Sequence, residues 1–303
     1  MTGFTSAEVP DQAGRRFLIT GANSGIGFHA ARMLAGKGAH VLLGCRDTGR
    51  GEAAGKAILA DHPAAQIGVV QVDLADLSSI RKAASAIDAV DVLINNAGIM
   101  MPPLGRTVDG FERQLGINHL GHFALTGLLL PRLAQGRDPR VVSVASIAHR
   151  RGRIDFDNLD GARGYSSMRF YAQSKLANLL FMAELDRRLR GARSPLAAIA
   201  CHPGISGTGL GRDSAMLGLL FRMASMMFNT AEQGAFPTLQ AACDPAAQSG
   251  DYFGPQGFRE MRGNSGRAAI SANAKDQHAA RRLWDVSVEL TGVDPELLPV
   301  PAP

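Results

Sequence analysis

Tyr171 and Lys175, two side chains that can exchange protons, lie four residues apart in the sequence. On a helix this spacing places both on one face. A neighbouring ammonium group stabilises a phenolate, so we expect the pKa of Tyr171 to fall below its ordinary value of about 10. Such a tyrosine can act as an acid or a base near neutral pH. Pairs of this spacing also occur on ordinary surfaces. Ser146, which follows an apolar strand pattern, favours the chemical interpretation here.

A glycine-rich turn follows the first apolar segment of the chain. Glycines permit a tight turn and let the backbone approach a pyrophosphate, while the N-terminus of the next helix attracts the anion. The turn lies between a predicted strand and a predicted helix, which is the context that such a site requires. We therefore predict a dinucleotide site with the contacts Gly21, Asn23, Ser24, Gly25, Ile26 and Gly27.

Short apolar segments alternate with helical patterns along most of the chain, which indicates βαβ units and a parallel sheet. Several of these segments are apolar on both faces, as expected of strands that helices cover on either side. The patterns predict helices over 28–36, 49–61 and 78–89. They predict strands over 16–20, 39–44, 68–72, 90–95, 140–144 and 196–201, with a last strand near 250–253.

The expected fold class is α/β, with one Rossmann-type doubly wound parallel sheet and a helical substrate lid in a single domain, 1–303. We place the lid insertion at about 206–235 and a C-terminal extension at about 255–303. The methionine-rich part of the lid, 216–228, is apolar and adaptable. Packing of this segment on the core or on a partner subunit is an equal alternative, and contact with a membrane surface is a third.

Composition argues against several other classes of function. The formal net charge is +5, but the basic residues are scattered, so we expect no nucleic-acid interface. The three cysteines form no disulfide or metal-binding pattern, so we expect no metal and a reducing, cytoplasmic location. No segment reaches the roughly 20 apolar residues of a spanning helix, so we expect no integral membrane segment.

The spacing G-x-x-x-G-x-G in the glycine-rich turn resembles the nucleotide motif of the short-chain dehydrogenase/reductase family. Further segments match that family in the same order, so that the resemblance covers roughly 16–208. It implies additional cofactor contacts: Asp73 and Leu74 near the adenine, Asn96, Ala97 and Gly98 after the fourth strand, and Pro203, Gly204 and Thr208 around the nicotinamide.

The resemblance also implies four catalytic residues. Tyr171 would be the acid in reduction and the base in oxidation, and Lys175 would lower its pKa while holding the nicotinamide ribose. Ser146 would bind and polarise the substrate oxygen. Asn118 matches the structural and proton-relay asparagine of the family. Ser143, which lies within the fifth strand, is interpreted as structural.

Cofactor choice depends on the end of the second strand, where NAD enzymes place a carboxylate against the ribose 2′-hydroxyl. Cys45 stands at this position, and Arg46 follows it. A guanidinium pairs with a 2′-phosphate through charge-assisted hydrogen bonds, so we expect NADP(H), with NAD(H) as the less favoured cofactor. Asp47 leaves an alternative open, because the preference weakens if its carboxylate faces the ribose in place of Arg46.

Finer matches resemble the retinol dehydrogenase-like branch of the family. They are Asn-His-Leu-Gly-His-Phe over 118–123, the segments 152–159 and 280–287, and Cys-Arg-Asp over 45–47. Many animal members of that branch begin with a membrane anchor, and we expect none here, because residues 1–16 include acidic residues and no apolar run. The resemblance therefore implies a soluble, bacterial relative whose natural substrate need not be a retinoid.

Three histidines and one cysteine lie outside the predicted catalytic and cofactor contacts. His119 and His122 are interpreted as helix residues at core or subunit contacts, because no third metal ligand accompanies them. His149 either reaches the substrate pocket or is an ordinary loop histidine. Cys201 is interpreted as a small apolar residue in a buried strand.

The expected function is NADP(H)-dependent hydride transfer to or from a bulky, mostly apolar alcohol, aldehyde or ketone. A non-catalytic NADP(H)-binding regulatory or interaction protein is an alternative of another class, and sugar epimerisation is a third. The complete set of Ser146, Tyr171 and Lys175 favours the enzyme. A homo-oligomer is compatible with the resemblance.

Overall fold

One eight-stranded sheet organises the computed structural model, which describes residues 3–205 and 229–295. Its strands in chain order are β1 (Arg16–Thr20), β2 (His40–Cys45), β3 (Gln66–Gln71), β4 (Val92–Asn95), β5 (Arg140–Val144), β6 (Ala197–Cys201), β7 (Tyr252–Pro255) and β8 (Ser265–Arg267). Across the sheet the order is β3-β2-β1-β4-β5-β6-β7-β8. The first seven strands run parallel, and β8 pairs antiparallel with β7 at one edge.

Helices connect the parallel strands, as crossovers between such strands require. A π-helical turn at Gly116–Leu120 joins α4 to α5, and 3₁₀ turns lie at Ile147–Arg151, Phe258–Glu260 and Ala272–Lys275. The helices within the described residues are α1 (Gly25–Ala35), α2 (Thr48–Asp61), α3 (Leu77–Ser85), α4 (Arg113–Leu115), α5 (Gly121–Leu133), α6 (Ser167–Gly191), α7 (Ala231–Gly234), α8 (Phe236–Cys243) and α9 (Gln277–Thr291).

The core lies on both faces of the sheet because successive strand residues point in opposite directions. Leu18 and Leu93 pack with residues of α3, α5, α6 and α9 on one face. Phe17, Ile19 and Ile94 pack with residues of α1, α2 and α8 on the other. This two-sided burial explains the uninterrupted apolar strand sequences. The expected single-domain, doubly wound α/β fold is confirmed.

The adjacency of β1 and β4 determines where a ligand can bind. These strands pair in parallel, with Ile19 opposite Ile94, although two other strands lie between them in the sequence. The strand order reverses here, and open α/β sheets bind ligands in the crevice beyond the carboxyl ends of the strands at such a point. Predicted site segments follow β1, β4, β5 and β6, so the topology brings these segments to one edge of the sheet.

Several predicted boundaries were wrong by a few residues. The first helix begins at Gly25 rather than at residue 28, so it starts inside the glycine-rich turn. The third helix ends at Ser85 rather than at residue 89. The antiparallel strand β8 was not predicted, because it has only three residues and two of them are polar.

Two of the predicted segments extend past the described residues. Residues 206–228, most of the expected lid, lie outside them, as do 296–303. The C-terminal extension contributes β8 and α9, and α9 packs on α6, with Trp284 stacked at 5.9 Å between ring centroids on Phe181. Within the part of the chain that the structure describes, no helix combines the length and apolarity needed to cross a bilayer.

Candidate active site

Helix α6 is tied to the end of β5 by two buried side chains. Lys175 Nζ and Asn178 Nδ2 each donate a hydrogen bond to the Val144 carbonyl, both at 3.1 Å. Lys175 is only 5% exposed. Because Val144 is the last residue of β5, these bonds place Tyr171, one helical turn before Lys175, beside the loop that begins after the strand.

Ser146, in the loop after β5, contacts the side chain of Tyr171 on α6. Ser146 caps the 3₁₀ turn after β5, where its Oγ accepts the Ala148 N–H at 3.2 Å. Burial raises the pKa of Tyr171, and a side-chain hydrogen bond with Ser146 lowers it in part. The expected net direction of the Tyr171 pKa was therefore wrong for the chain by itself. The phenol loses more hydration than its surroundings replace, and Lys175 directs its ammonium group at a carbonyl.

Lys175 remains available as a cation despite its burial. Burial lowers the pKa of Lys175 to about 8, so the side chain is mostly protonated at pH 7. Its Nζ lies 6.0 Å from the centroid of the Tyr171 ring. A Cβ on Gly98 would lie 3.3 Å from this Nζ and 3.1 Å from Asn118 Oδ1. The structure thus brings the predicted Tyr171, Lys175, Ser146, Asn118 and Gly98 together at one place.

Asn118 lies in the π-helical turn and is completely buried. Its Oδ1 accepts the Ile99 N–H at 2.8 Å, and its Nδ2 donates to the Ile99 carbonyl at 3.0 Å and to Ser174 Oγ at 2.9 Å. The side chain therefore links α6 to the segment after β4. π-helical turns are often found at functional sites.

The glycine-rich turn has the shape that a pyrophosphate requires. Gly21 and Gly25 have φ of 68° and 57°, in the left-handed region that glycine adopts without strain. Ser24 is exposed at the start of α1, and its side chain makes no capping hydrogen bond. The free N–H groups of this helix end are therefore open to an anion. The residues present fit a dinucleotide.

Gly27 marks the tightest contact of the turn. A Cβ at this position would lie 2.5 Å from Asn96 Nδ2 and 2.6 Å from the Gly21 carbonyl. We expect Gly27→Ala to destabilise the chain by about 1–3 kcal/mol, the usual cost of overpacking. Urea unfolding would measure it. Gly191→Ala is the matched control, because Gly191 ends α6 with nothing within 4 Å of an added Cβ. An equal loss in both variants would contradict this account.

Thr20 and His122 form a link that the sequence patterns did not reveal. The Thr20 hydroxyl accepts the N–H groups of Asn96 and Ala97 at 2.9 and 3.0 Å and lies 2.8 Å from His122 Nε2. His122 Nδ1 donates to the Asn118 carbonyl at 3.0 Å, so Nε2 accepts the Thr20 proton. The core interpretation of His122 is confirmed by its burial, and its ring joins the cofactor turn to the Asn118 turn.

Buried neutral histidines predict a loss of stability in acid. Burial lowers the pKa of His119 to about 3 and that of His122 to about 4. The unfolded chain takes up protons below about pH 6.5, whereas these folded residues do not. Each histidine should therefore lower the free energy of unfolding by up to about 1.4 kcal/mol per pH unit as the pH falls from about 6.5 towards 4.

Urea unfolding between pH 4.5 and pH 7.5 tests this slope. His119→Phe should make the profile shallower by one histidine, because the ring packs beside Phe123 and Phe181, where an aromatic replacement fits. The exposed His278, changed to Gln, is the control and should leave the slope unchanged. Equal slopes in wild type and in His119→Phe would show that His119 is protonated in the folded chain.

Arg46 and Asp47, the two candidates for contact with the ribose, follow β2 and differ in their contacts. The Asp47 carboxylate caps α2, where its Oδ1 accepts the Arg50 N–H at 3.1 Å, and it lies 3.6 Å from Arg50 Nε. Arg46 is exposed and has no hydrogen bond or ion pair among the described residues. After β3, Asp73 Oδ1 accepts the Ala75 N–H at 2.9 Å, and Leu74 is buried.

The segment after β6 completes the site edge. Val144 and Cys201, the last residues of β5 and β6, are paired, so Pro203 and Gly204 lie beside the Ser146 loop. Thr208 lies outside the described residues. His149 is wholly buried, and its Nδ1 donates to the Ser146 carbonyl at 2.6 Å. This bond holds the His149 ring against the loop that contains Ser146. Cys201 is completely buried, as expected.

A family model described as short chain dehydrogenase matches residues 15–215. The chain belongs to the short-chain dehydrogenase/reductase family, and it is an oxidoreductase of that family, whose members bind a nicotinamide cofactor. Its relatives narrow the assignment to the retinol dehydrogenase-like branch.

Among those relatives is mouse retinol dehydrogenase 12, which is 43% identical over 295 residues, or 95% of this chain and 89% of the relative. Human retinol dehydrogenase 11 is 42% identical over 286 residues, or 92% of this chain and 86% of the relative. The similarity thus extends through the C-terminal extension.

Solved structures agree with the fold. A protein from Mycobacterium paratuberculosis is 46% identical, with a TM-score of 0.84 over 98% of this chain and 100% of that chain. A chain from Beutenbergia cavernae, described as an NAD(P)-dependent gluconate 5-dehydrogenase with NADP bound at low occupancy, is 27% identical. Its TM-score is 0.63 over 80% of this chain and 96% of that chain.

Proposed function

We propose that the protein is an NADP(H)-dependent carbonyl reductase or alcohol dehydrogenase for a bulky, mostly apolar substrate. The observation that carries the proposal is the meeting of Tyr171, Ser146 and Lys175 at the carboxyl edge of the sheet, beside a turn that fits a dinucleotide. When bound, the nicotinamide supplies or accepts the hydride. The chain itself supplies binding, orientation and the proton.

Tyr171 is the proton donor in reduction. Because burial raises its pKa, the phenol keeps its proton at neutral pH and can pass it to a substrate oxygen. Ser146, hydrogen bonded to Tyr171, binds the same oxygen and polarises the carbonyl. Lys175, mostly protonated at pH 7, stabilises the phenolate that forms. Asn118 links α6 to the segment after β4 through its side-chain hydrogen bonds.

The cofactor contacts extend along the same edge. We assign the pyrophosphate to the turn containing Gly21, Asn23, Ser24, Gly25, Ile26 and Gly27, and the adenine side to Asp73 and Leu74. Asn96, Ala97 and Gly98 would line the site between the two halves. Lys175 and Tyr171 would hold the nicotinamide ribose, and Pro203, Gly204 and Thr208 would lie beside the nicotinamide.

Preference for NADP(H) over NAD(H) follows from the residues after β2. The Asp47 carboxylate is engaged at the start of α2, whereas the guanidinium of Arg46 is unpaired among the described residues and exposed. A guanidinium pairs with a 2′-phosphate through charge-assisted hydrogen bonds, which favours NADP(H).

The substrate class is proposed from the relatives and from the sequence of the lid. Several retinol dehydrogenases are 38–43% identical to this chain, which supports a long apolar alcohol or aldehyde. The methionine-rich segment 216–228 is rich in side chains that adapt to varied apolar ligands. We propose that it is the substrate lid.

Spectrophotometry of the pure protein tests the function. NADPH or NADH would be offered with a panel of aldehydes, ketones, steroids and retinal, and oxidation of the cofactor would be followed. We expect turnover with apolar carbonyl compounds and faster turnover with NADPH. Tight NADPH binding with no turnover across the panel would favour a non-catalytic regulatory protein instead.

A further inference from the structure

The turn Phe258–Glu260, in the C-terminal extension, has an unusual backbone. Arg259 and Glu260 have φ of 51° and 60°, in the left-handed region that residues other than glycine rarely adopt. Such conformations persist only where the surroundings hold them. Burial of Phe258 does not hold this turn, because that side chain is 65% exposed. Backbone hydrogen bonds such as Glu260 N–H to the Gly257 carbonyl restrain the turn, and the Glu260 side chain adds contacts to distant segments.

The Glu260 carboxylate joins three segments. Its Oε2 accepts hydrogen bonds from Arg150 Nη2 at 2.6 Å and from His202 Nε2 at 3.1 Å. Its Oε1 accepts the Ala269 N–H at 3.0 Å. Arg150 belongs to the 3₁₀ turn after Ser146, and His202 directly follows β6. The carboxylate thus connects both loops of the site edge to the extension.

His202 links the Glu260 carboxylate to the backbone of the segment after β6. The ring is completely buried, and its Nδ1 accepts the Gly204 N–H at 3.2 Å. Nδ1 therefore carries no proton, and Nε2 carries the proton donated to Glu260. A Cβ on Gly254 would overlap the His202 ring, so the glycine in β7 leaves the space that the ring occupies. Two consecutive hydrogen bonds therefore connect the Glu260 carboxylate, through the His202 imidazole, to the Gly204 amide.

The residues directly after this turn also contact the chain on both sides of 206–228. The Ile205 N–H donates to the Met261 carbonyl at 3.0 Å, and the Asn229 N–H donates to the Ile205 carbonyl at 3.1 Å. Asn229 Oδ1 accepts the Gly263 N–H at 2.9 Å. The segment after β6 is therefore restrained by the extension at several points, and Glu260 is the charged one.

We propose that Glu260 is a positioning residue for the cofactor site. Through His202 it sets the place of the Gly204 amide, and with it the Pro203-Gly204 turn on the nicotinamide side of the site. The inference rests on the proposed function in assigning the nicotinamide to this turn. It gives the C-terminal extension a part in cofactor binding, through its hold on the Pro203-Gly204 turn.

Two glycine substitutions in adjacent positions test the proposal. Glu260→Gly and Arg259→Gly both permit the left-handed backbone, but only the first removes the carboxylate. Hydrogen exchange of the cofactor-free chain would be measured over 203–205, where Gly204 and Ile205 carry the exchanging amides, and NADPH affinity would be measured by fluorescence titration. We expect faster exchange and a dissociation constant about tenfold higher in Glu260→Gly, with Arg259→Gly within about twofold of wild type.

Glu184→Gln controls for the loss of a buried carboxylate elsewhere. Glu184 is 1% exposed and pairs with Arg187 and Arg188 on α6. Its replacement should lower the melting temperature without changing exchange over 203–205 or NADPH affinity. Equal exchange over 203–205 in Glu260→Gly and Arg259→Gly would overturn the proposal.

A wild-type chain that binds neither NADPH nor NADH would contradict the proposed function, and the exchange comparison would still decide the positioning of the turn. If Glu260→Gly does not fold, ¹⁵N spectra of His202 in the wild type give a second test. We expect a bare Nδ1 and a protonated Nε2. A protonated Nδ1 would overturn the proposal, because it could not accept the Gly204 N–H.

Discussion

Replacing Tyr171 with Phe should lower turnover by about 10²- to 10⁴-fold, the usual contribution of a positioned general acid. The change removes one hydroxyl and keeps the ring, so helix α6 should remain tied to β5 through Lys175 and Asn178. We therefore expect NADPH affinity to stay within a few-fold of wild type. The measurement is kcat with the best carbonyl substrate of the panel, combined with a fluorescence titration of NADPH.

Tyr165→Phe is the matched control for that experiment. The Tyr165 hydroxyl accepts a hydrogen bond from Gln114 and donates to the Pro102 carbonyl at 2.8 Å, so it belongs to a neighbouring loop contact. Its loss should change kcat by less than Tyr171→Phe does. Unchanged turnover in Tyr171→Phe, or an equal loss in both variants, would contradict the assignment of the proton donor.

Replacing Arg46 with Asp should raise the dissociation constant of NADPH by about 10- to 100-fold. Charge-assisted hydrogen bonds contribute about 1.5–3 kcal/mol, and each 1.4 kcal/mol is a factor of about ten in affinity. NADH has no 2′-phosphate, so its affinity should hold or improve as the new carboxylate meets the ribose hydroxyl. Titration with both cofactors gives the preference directly.

Lys56→Asp controls for the general change in charge. Lys56 is exposed on α2, the helix that follows Arg46, and the substitution changes the net charge by the same amount. It should lower NADPH affinity only slightly, because exposed charges that do not touch the ligand are screened by salt. If Arg46→Asp leaves NADPH affinity at the wild-type value, another residue binds the 2′-phosphate. Arg50, exposed beside Asp47, would then be the next to test.

Local patterns predicted the parts of the site that depend on neighbouring residues. The glycine-rich turn was predictable because a strand, a turn and a helix follow one another within about a dozen residues. The shared face of Tyr171 and Lys175 follows from helical spacing alone. Most strands of the sheet were predicted within one to two residues, because a strand covered on both faces must be apolar throughout.

Contacts between distant segments were not predictable in this way. Thr20 and His122 are 102 residues apart, and His202 and Glu260 are 58 apart, yet each pair meets through side chains. Sequence spacing cannot show such pairs, since the sheet order decides which loops share an edge. Glu260 lay in an extension for which the sequence indicated no function.

The sequence by itself therefore determined the family and the sheet, and it supplied the residues that we propose to react, since these follow from residue types and short spacings. Tertiary structure decided the hydrogen-bond partners and the pKa of these groups. Asp47 caps α2, because a helix start leaves N–H groups that a nearby carboxylate satisfies. Burial raised the pKa of Tyr171, which the Lys175 spacing had suggested would fall. The free energy of a charge depends on everything that surrounds it, and only the folded chain specifies those surroundings.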